Sequence, residues 1–212
     1  SVLDVTRPDL SLVIPVYNGA SFIGETLDDV TSFFADRSFD AEIIAVDDGS
    51  TDGTAEFLGG RADITTIRLP VNRGKFAAIK TGMAAASGSC RVFTDADLPY
   101  DLDAIPYMAS LIADNGFHIV VGDRTLPESE QGWGTPVLRR ISTRVFSFSV
   151  RMLVTGELFD TQVGLKAFRG DVAAALFPLI ADDGFAGDVE LLYIALKYNL
   201  AIRRIPVRLQ RS

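Results

Sequence analysis

Five short apolar runs limit what this chain can become. Leu10–Val16, Ala41–Val46, Ile64–Leu69, Arg91–Thr94 and Phe117–Val121 read as strands, and a helix-patterned segment follows each of the first four. After the first run, Phe22, Ile23, Leu27, Val30, Phe33 and Phe34 recur at roughly helical spacing, with Ser21 placed to cap. Ala55–Leu58, Phe76–Ala86 and Leu102–Asn115 supply the next three helices. Strands that are continuous in hydrophobicity are buried on both faces, and strands separated by helices are joined by crossovers. The expectation is an α/β fold with a largely parallel sheet, helices on both faces and right-handed crossovers. In such sheets ligands bind beyond the carboxyl ends of the strands. Val16–Gly19, Asp47–Thr54, Pro70–Lys75 and Asp95–Asp97 should therefore gather along one edge.

Those four turns carry chemistry. Thr94-Asp95-Ala96-Asp97 offers two carboxylates at i and i+2 just past a strand, which can converge on one hard cation if the chain bends there. Carboxylate oxygen suits Mg²⁺ or Mn²⁺, and an ion held by one or two carboxylates keeps positions open for a diphosphate. An ordinary acidic loop is the plainer reading. Asp47–Thr54 presents carboxylates, hydroxyls and two glycines; these can accept from a base or from ribose, or simply build an Asx-turn with a capped helix. Asn72-Arg73-Gly74-Lys75 sets two cations ahead of a helix start, where an anion is favoured, unless it is only a solvated loop. Neither G-x-G-x-x-G nor G-x-x-x-x-G-K-[ST] occurs.

The remainder of the chain changes character. Gly122–Thr135 is a polar loop, and Pro136–Val154 a predicted helix with Arg139, Arg140, Arg144 and Arg151 and no acid. Such a basic, apolar helix suits a membrane interface, or a core helix with its arginines turned outward. Gly164–Arg169, Asp171–Leu176, Val189–Tyr198 and Ala201–Val207 read as strand, helix, helix and strand. No internal repeat or low-complexity linker divides the 212 residues, so one domain over 1–212 is expected. A net charge of −8 and a pI of about 4.6 argue against nucleic-acid binding. Cys90 is the only cysteine, which excludes an internal disulfide and suits a small buried hydrophobe. No apolar run reaches the ~18 residues of a membrane span, and no signal peptide is visible. The chain opens on Ser1, so trimming is expected and an anchor outside these residues stays open.

Taken together the motifs carry a resemblance. IPVYNGA from Ile14, VDDGSTDGT from Val46, NRGKFAAIKTGM from Asn72 and TDADLP from Thr94 have the order and spacing of family 2 glycosyltransferases of GT-A fold. VVGDR from Val120, RRISTRVF from Arg139, DTQVGLKAFR from Asp160 and GFAGDVELLY from Gly184 resemble the polyprenyl-phosphate (dolichyl-phosphate) glycosyltransferases, the glucosyl branch more than the mannosyl. The resemblance spans about residues 10–208, and the DTQ-x-G-x-K-x-F-R run is its specific part.

The resemblance implies a Rossmann-like GT-A catalytic domain, with a nucleotide-sugar half over 1–121 and an acceptor half over 122–212. It implies a metal-dependent inverting transfer of glucose, or next mannose, from a UDP-glucose or GDP-mannose type of donor to a polyprenyl phosphate. The enzyme would work at the cytoplasmic side of a membrane with Mg²⁺ or Mn²⁺. Pro15, Tyr17, Asn18, Asp47, Asp48, Lys75, Asp95 and Ala96 would bind the nucleotide sugar, and Asp95 and Asp97 the metal. Arg124, Arg140, Arg144, Gln162 and Lys166 would face the acceptor phosphate, with Asp160, Asp188 and Glu190 shaping that side. Asp97, Arg124 and Asp188 are the implied catalytic residues. Asp188 could be the base for a hydroxyl acceptor; it and Glu190 equally suit a helix N-terminus. Gly122-Asp123-Arg124 departs from the usual GSR, an acid replacing a serine. A hydroxyl-acceptor transferase and a silent nucleotide-sugar-binding module are the alternatives.

Overall fold

The computed structural model describes residues 7–37, 39–124, 126 and 163–208. Within them, strands β1 (Leu10–Val16), β2 (Ala41–Asp47), β3 (Thr65–Arg68), β4 (Cys90–Phe93), β5 (Ile119–Asp123), β6 (Lys166–Arg169) and β7 (Ile202–Pro206) form one sheet. Helices α1 (Ile23–Ala35), α2 (Thr54–Gly59), α3 (Lys75–Ala85) and α4 (Ala104–Asn115) follow the first four strands. Two more, α5 (Gly170–Leu176) and α6 (Gly187–Lys197), lie between β6 and β7. Each expected element in these residues is present, with ends moved by a residue or two. Ser21 does not cap α1: the helix enters through Phe22 with no side-chain cap, and the N–H groups of Phe22 and Ile23 bond to the Gly19 carbonyl instead (3.0 and 2.9 Å).

The strand order is β3-β2-β1-β4-β6-β5-β7. The first four are mutually parallel, and β5 and β7 are parallel to each other. β6 is antiparallel to both neighbours, pairing Lys166 with Phe93 on β4 and with Val121 on β5. This single reversal sets the start of β6 against the carboxyl ends of β4 and β5.

All of β1 is buried, and its residues divide by parity. Leu10, Leu12, Ile14 and Val16 pack with α1 and α4, while Val13 packs with α3, α5 and α6 on the other face. That is the period of two expected of a strand covered on both sides. Gly82 lets α3 approach, since a Cβ there would lie 2.3 Å from a Val13 methyl. On this face Phe76, Phe93, Phe168 and Phe177 form a ring cluster with centroids 5.1–6.4 Å apart. Phe76 adjoins Lys75 and Phe93 adjoins Thr94, so the buried cluster underlies both motifs. Among the described residues no helix is long and apolar enough to cross a membrane.

Candidate functional site

The carboxyl edge is assembled by its own polar side chains. In the turn after β1, Asn18 adopts φ 51°, and its side-chain oxygen accepts from the Thr51 N–H (2.9 Å). The Asn18 N–H donates to Ser50 Oγ and the Gly19 N–H to Thr54 Oγ1, both at 2.9 Å. The hydroxyls and amides of the DDGSTDGT turn thus tie it to the first turn. The Asx-turn reading holds at Asp52, whose Oδ1 accepts from the Thr54 N–H at 3.0 Å, but α2 enters through Gly53 with no side-chain cap; Asp47 Oδ1 accepts from the Ser50 N–H at 2.9 Å. Asp47 Oδ2 is buried without a hydrogen-bond partner, 3.4 Å from Arg68 Nε. Such an acceptor is costly unless a donor reaches it.

Asp48 organises the next loop. Its two oxygens accept from the Arg73 and Gly74 N–H groups at 2.8 and 2.9 Å, fixing the start of α3. Gly49 at φ 71° lies against the same loop, where a Cβ would sit 2.5 Å from the Val71 carbonyl carbon. Gly74, at φ 107°, lies against Asp183, where a Cβ would come 2.6 Å from the backbone oxygen. The Asp183 carboxylate in turn pairs with Lys80 and, at 2.8 Å, with Arg73. The bond from Lys80, and after it that from Arg73, outweigh the cost of burial and hold the Asp183 carboxyl below the usual range.

After β4 the chain bends as a converging pair of carboxylates requires. The Leu98 N–H closes onto the Asp95 carbonyl at 3.1 Å, with Leu98 at φ 40°, and Thr26 Oγ1 donates to the Ala96 carbonyl at 2.7 Å. Asp97 is exposed. Asp95 pairs with Lys75 on one side and rests on Gly164 on the other; a Cβ on Gly164 would fall 1.9 Å from Asp95 Oδ2.

Pro15, Tyr17, Asp48, Lys75, Asp95, Ala96 and Asp97 line a cavity of about 500 Å³ with Val16, Phe22, Asn72 and Gly74. Asn18 and Asp47 are outside that lining and brace its wall through the bonds above. A second cavity of about 520 Å³ lies at the amino ends of the strands, lined by Asp9, Cys90, Asp114, Arg169 and neighbours. It holds no residue of the implied site, and burial pushes the Cys90 thiol up to about 12, which leaves it unreactive.

The acceptor-side residues separate. Arg124 follows β5 at the edge and is half-buried. Lys166 is corrected. Its side chain is fully buried, and Nζ donates to the Val163 carbonyl (2.7 Å) and to Asp188 Oδ1 (2.8 Å), 5.3 Å from the Phe93 ring centroid. An ammonium so enclosed is a partner of Asp188, not a phosphate contact. Asp188, at the start of α6, is the carboxylate that compensates Lys166. Glu190 Oε2 accepts from the N–H groups of Ala181 and Asp182, both at 2.9 Å, and so shapes the loop before α6. Arg140, Arg144, Gln162, Asp160 and the segment expected as a helix over Pro136–Val154 lie outside the described residues. Asp183, Gly164 and Arg204 were not singled out from sequence; their roles depend on contacts between distant segments, which no local pattern signals.

The Glycosyl transferase family 2 profile matches residues 11–177. The chain is 32% identical to dolichyl-phosphate beta-glucosyltransferase of Dictyostelium discoideum over 93% of its length and 65% of the relative's. Against the Drosophila melanogaster protein of that name the figures are 32%, 98% and 69%. The chain thus spans about two thirds of the length of these relatives. Among solved structures, glucosyl-3-phosphoglycerate synthase from Mycobacterium tuberculosis, in complex with Mn²⁺, UDP and glucosyl-3-phosphoglycerate, superposes with a TM-score of 0.67 at 22% identity, covering 97% of this chain and 72% of that one. S. aureus TarS gives 0.62 at 19%, covering 96% and 58%. At these identities the likeness is one of fold: a mostly parallel sheet of GT-A type.

Proposed function

The chain belongs to glycosyl transferase family 2, and we propose that it moves a hexose, glucose before mannose, from a nucleoside-diphosphate sugar to a polyprenyl phosphate at the cytoplasmic face of a membrane. One observation carries the reading. The antiparallel β6 sets Gly164, from the segment that resembles polyprenyl-phosphate transferases, directly against Asp95 of the carboxylate pair. The acceptor-type motif and the donor-type motif are therefore in contact, which supports reading them as parts of one site. The dolichyl-phosphate beta-glucosyltransferase relatives support glucose, and with it a UDP donor, over mannose and GDP.

In this reading the nucleotide lies in the cavity between Tyr17, Asp48 and Lys75, with Asp47 bracing the wall behind it. Asp95 and Asp97 fit a hard divalent cation, Mg²⁺ or Mn²⁺, because both are carboxylates at one cavity wall. When bound it would neutralise charge on the departing nucleoside diphosphate. The acceptor phosphate is mostly dianionic at pH 7, its second pKa being about 6, so its oxygen needs no strong base. That oxygen forms the bond to the anomeric carbon as the bond to the donor's β-phosphate oxygen breaks. The leaving nucleoside diphosphate takes the electron pair, and configuration inverts. Arg124 at the edge, with Arg140 and Arg144, would hold the acceptor phosphate near the donor without repulsion. The hydroxyl-acceptor reading needs a base, and Asp188 already spends Oδ1 on buried Lys166.

The test offers labelled UDP-glucose and GDP-mannose, with Mg²⁺ or Mn²⁺, to the protein with and without a polyprenyl phosphate. Organic-phase label that depends on the lipid phosphate is the expected result, and transfer only to hydroxyl acceptors overturns the reading. Asp97→Ala should abolish metal-dependent turnover in a protein that stays folded.

A further inference from the structure

The ion pair between Lys75 and Asp95 has a role beyond the reading above, on which it rests. The two ends of this pair differ in freedom. Asp95 is closed in on one side, because Gly164 packs against its carboxylate so closely that a single methyl carbon would overlap it. The backbone of Lys75 is also held. Asp48 binds the Arg73 and Gly74 N–H groups just before it, and the Ala77 N–H donates to the Asp183 carbonyl just after it (3.1 Å). The lysine stem is the longer and the more open of the two side chains. It is 46% exposed, and it opens into the cavity that Asp95 and Asp97 share.

An ammonium on Asp95 Oδ1 and a divalent cation on the same small carboxylate repel each other. One must yield, and the geometry makes it the lysine. A diphosphate entering the cavity gives that lysine an alternative anionic partner and gives the metal further oxygen ligands. We propose that Lys75 is the resident cation of Asp95 in the free protein, displaced onto the diphosphate when the donor arrives, so that metal and nucleotide bind as a coupled pair and the metal binds poorly alone. By linkage, the factor by which UDP strengthens Mn²⁺ binding equals the factor by which Mn²⁺ strengthens UDP binding, so one measured coupling reports the exchange.

The experiment titrates the full chain with Mn²⁺ alone, UDP alone and each in the presence of the other, by calorimetry and by the Mn²⁺ electron paramagnetic resonance signal. Wild type is compared with Lys75→Met, which keeps the stem and removes the charge, and with Lys75→Arg, which keeps the charge. The side chain is exposed at the first position of α3, so both variants should fold, and their unfolding midpoints are measured alongside. In Lys75→Met, Mn²⁺ without UDP should bind about tenfold tighter than in wild type, and the coupling should fall by about the same factor. Lys75→Arg should keep the wild-type coupling. Mn²⁺ binding no tighter in Lys75→Met, or an unchanged coupling, overturns the proposal while leaving the nucleotide site intact. Failure of wild type to bind either ligand overturns the nucleotide site itself and the proposal with it.

Discussion

Gly164→Ala separates a geometric role from a structural one. The added Cβ would lie 1.9 Å from Asp95 Oδ2, where ordinary contact begins near 3.4 Å, so the carboxylate must withdraw by 3.4 − 1.9, about 1.5 Å. The group in the way is the end of a side chain and can rotate. The cost to folding is then that of mild overpacking, about 1 kcal/mol. In a chain of this length that lowers Tm by about 2–4 °C. The cost to function is larger, because a misplacement of about 1 Å at a reacting site is worth roughly 100-fold. Transfer of glucose to polyprenyl phosphate should fall about 100-fold, and Mn²⁺ affinity measured with UDP present should fall with it. Gly49→Ala is the contrasting control. Its Cβ would meet backbone, Val71 C at 2.5 Å and Asn72 N at 2.6 Å, with φ at 71°. A left-handed non-glycine residue alone costs about 1–2 kcal/mol, and here backbone must also move, so about 2 kcal/mol or more of stability should be lost. If Gly164→Ala keeps wild-type turnover and metal affinity, or destabilises as much as Gly49→Ala, the placement of Asp95 by Gly164 is refuted.

Breaking the buried pair by Lys166→Met should cost about 3–5 kcal/mol in urea unfolding, since Asp188 loses its compensating charge, and Lys166→Met with Asp188→Leu should recover most of it. A loss under about 1 kcal/mol would contradict the pairing. Glu42 makes a pH prediction: burial raises its pKa, but bonds from Ser11 Oγ, from the N–H and hydroxyl of Ser87 and from the Gly88 N–H together hold it below the usual range. Because the folded value is the lower one, this stabilisation is complete above the unfolded pKa near 4.3 and disappears as pH falls through the folded value. Glu42→Gln should therefore be less stable than wild type at pH 7, with the gap narrowing as pH falls below the unfolded pKa; a gap that does not change between pH 7 and acid pH would contradict it.

What the sequence carried and what it did not divide along a physical line. Strand–helix alternation is local, so Leu10–Val16 and its four successors could be read from apolar runs, and their gathered turns follow from parallel pairing. The direction of β6 is not local. A four-residue strand reads the same either way, and only its pairing with Phe93 and Val121 sets its start at the functional edge. For the same reason the resemblance of DTQVGLKAFR puts Lys166 at the acceptor phosphate, while the Val163 carbonyl and Asp188 that enclose it are brought there by the fold. Asp47 and Asp48 resembled one acidic pair, yet one is a turn residue with an orphan oxygen and the other a clamp on the Arg73 loop.

Asp123 shows why such contacts decide function. An acid beside Arg124 in place of a serine would set a negative charge at the place proposed for an anionic acceptor, and the two would repel. The side chain instead is 1% exposed, and Oδ2 takes a hydrogen bond from Arg204 Nε at 2.7 Å. Arg204 lies on β7 in register with Val121, two residues before Asp123 on β5, so the pair spans neighbouring parallel strands behind the edge. A buried carboxylate is tolerated only with such a partner, and the partner cancels the charge that would reach the acceptor. The substitution is therefore compatible with a phosphate acceptor because β7 supplies a cation, and Asp123 and Arg204 have to be considered as one unit. Removing Arg204 alone takes away the cation bonded to Asp123 Oδ2, whereas removing both removes the carboxylate with it, so the double variant should be the better tolerated of the two.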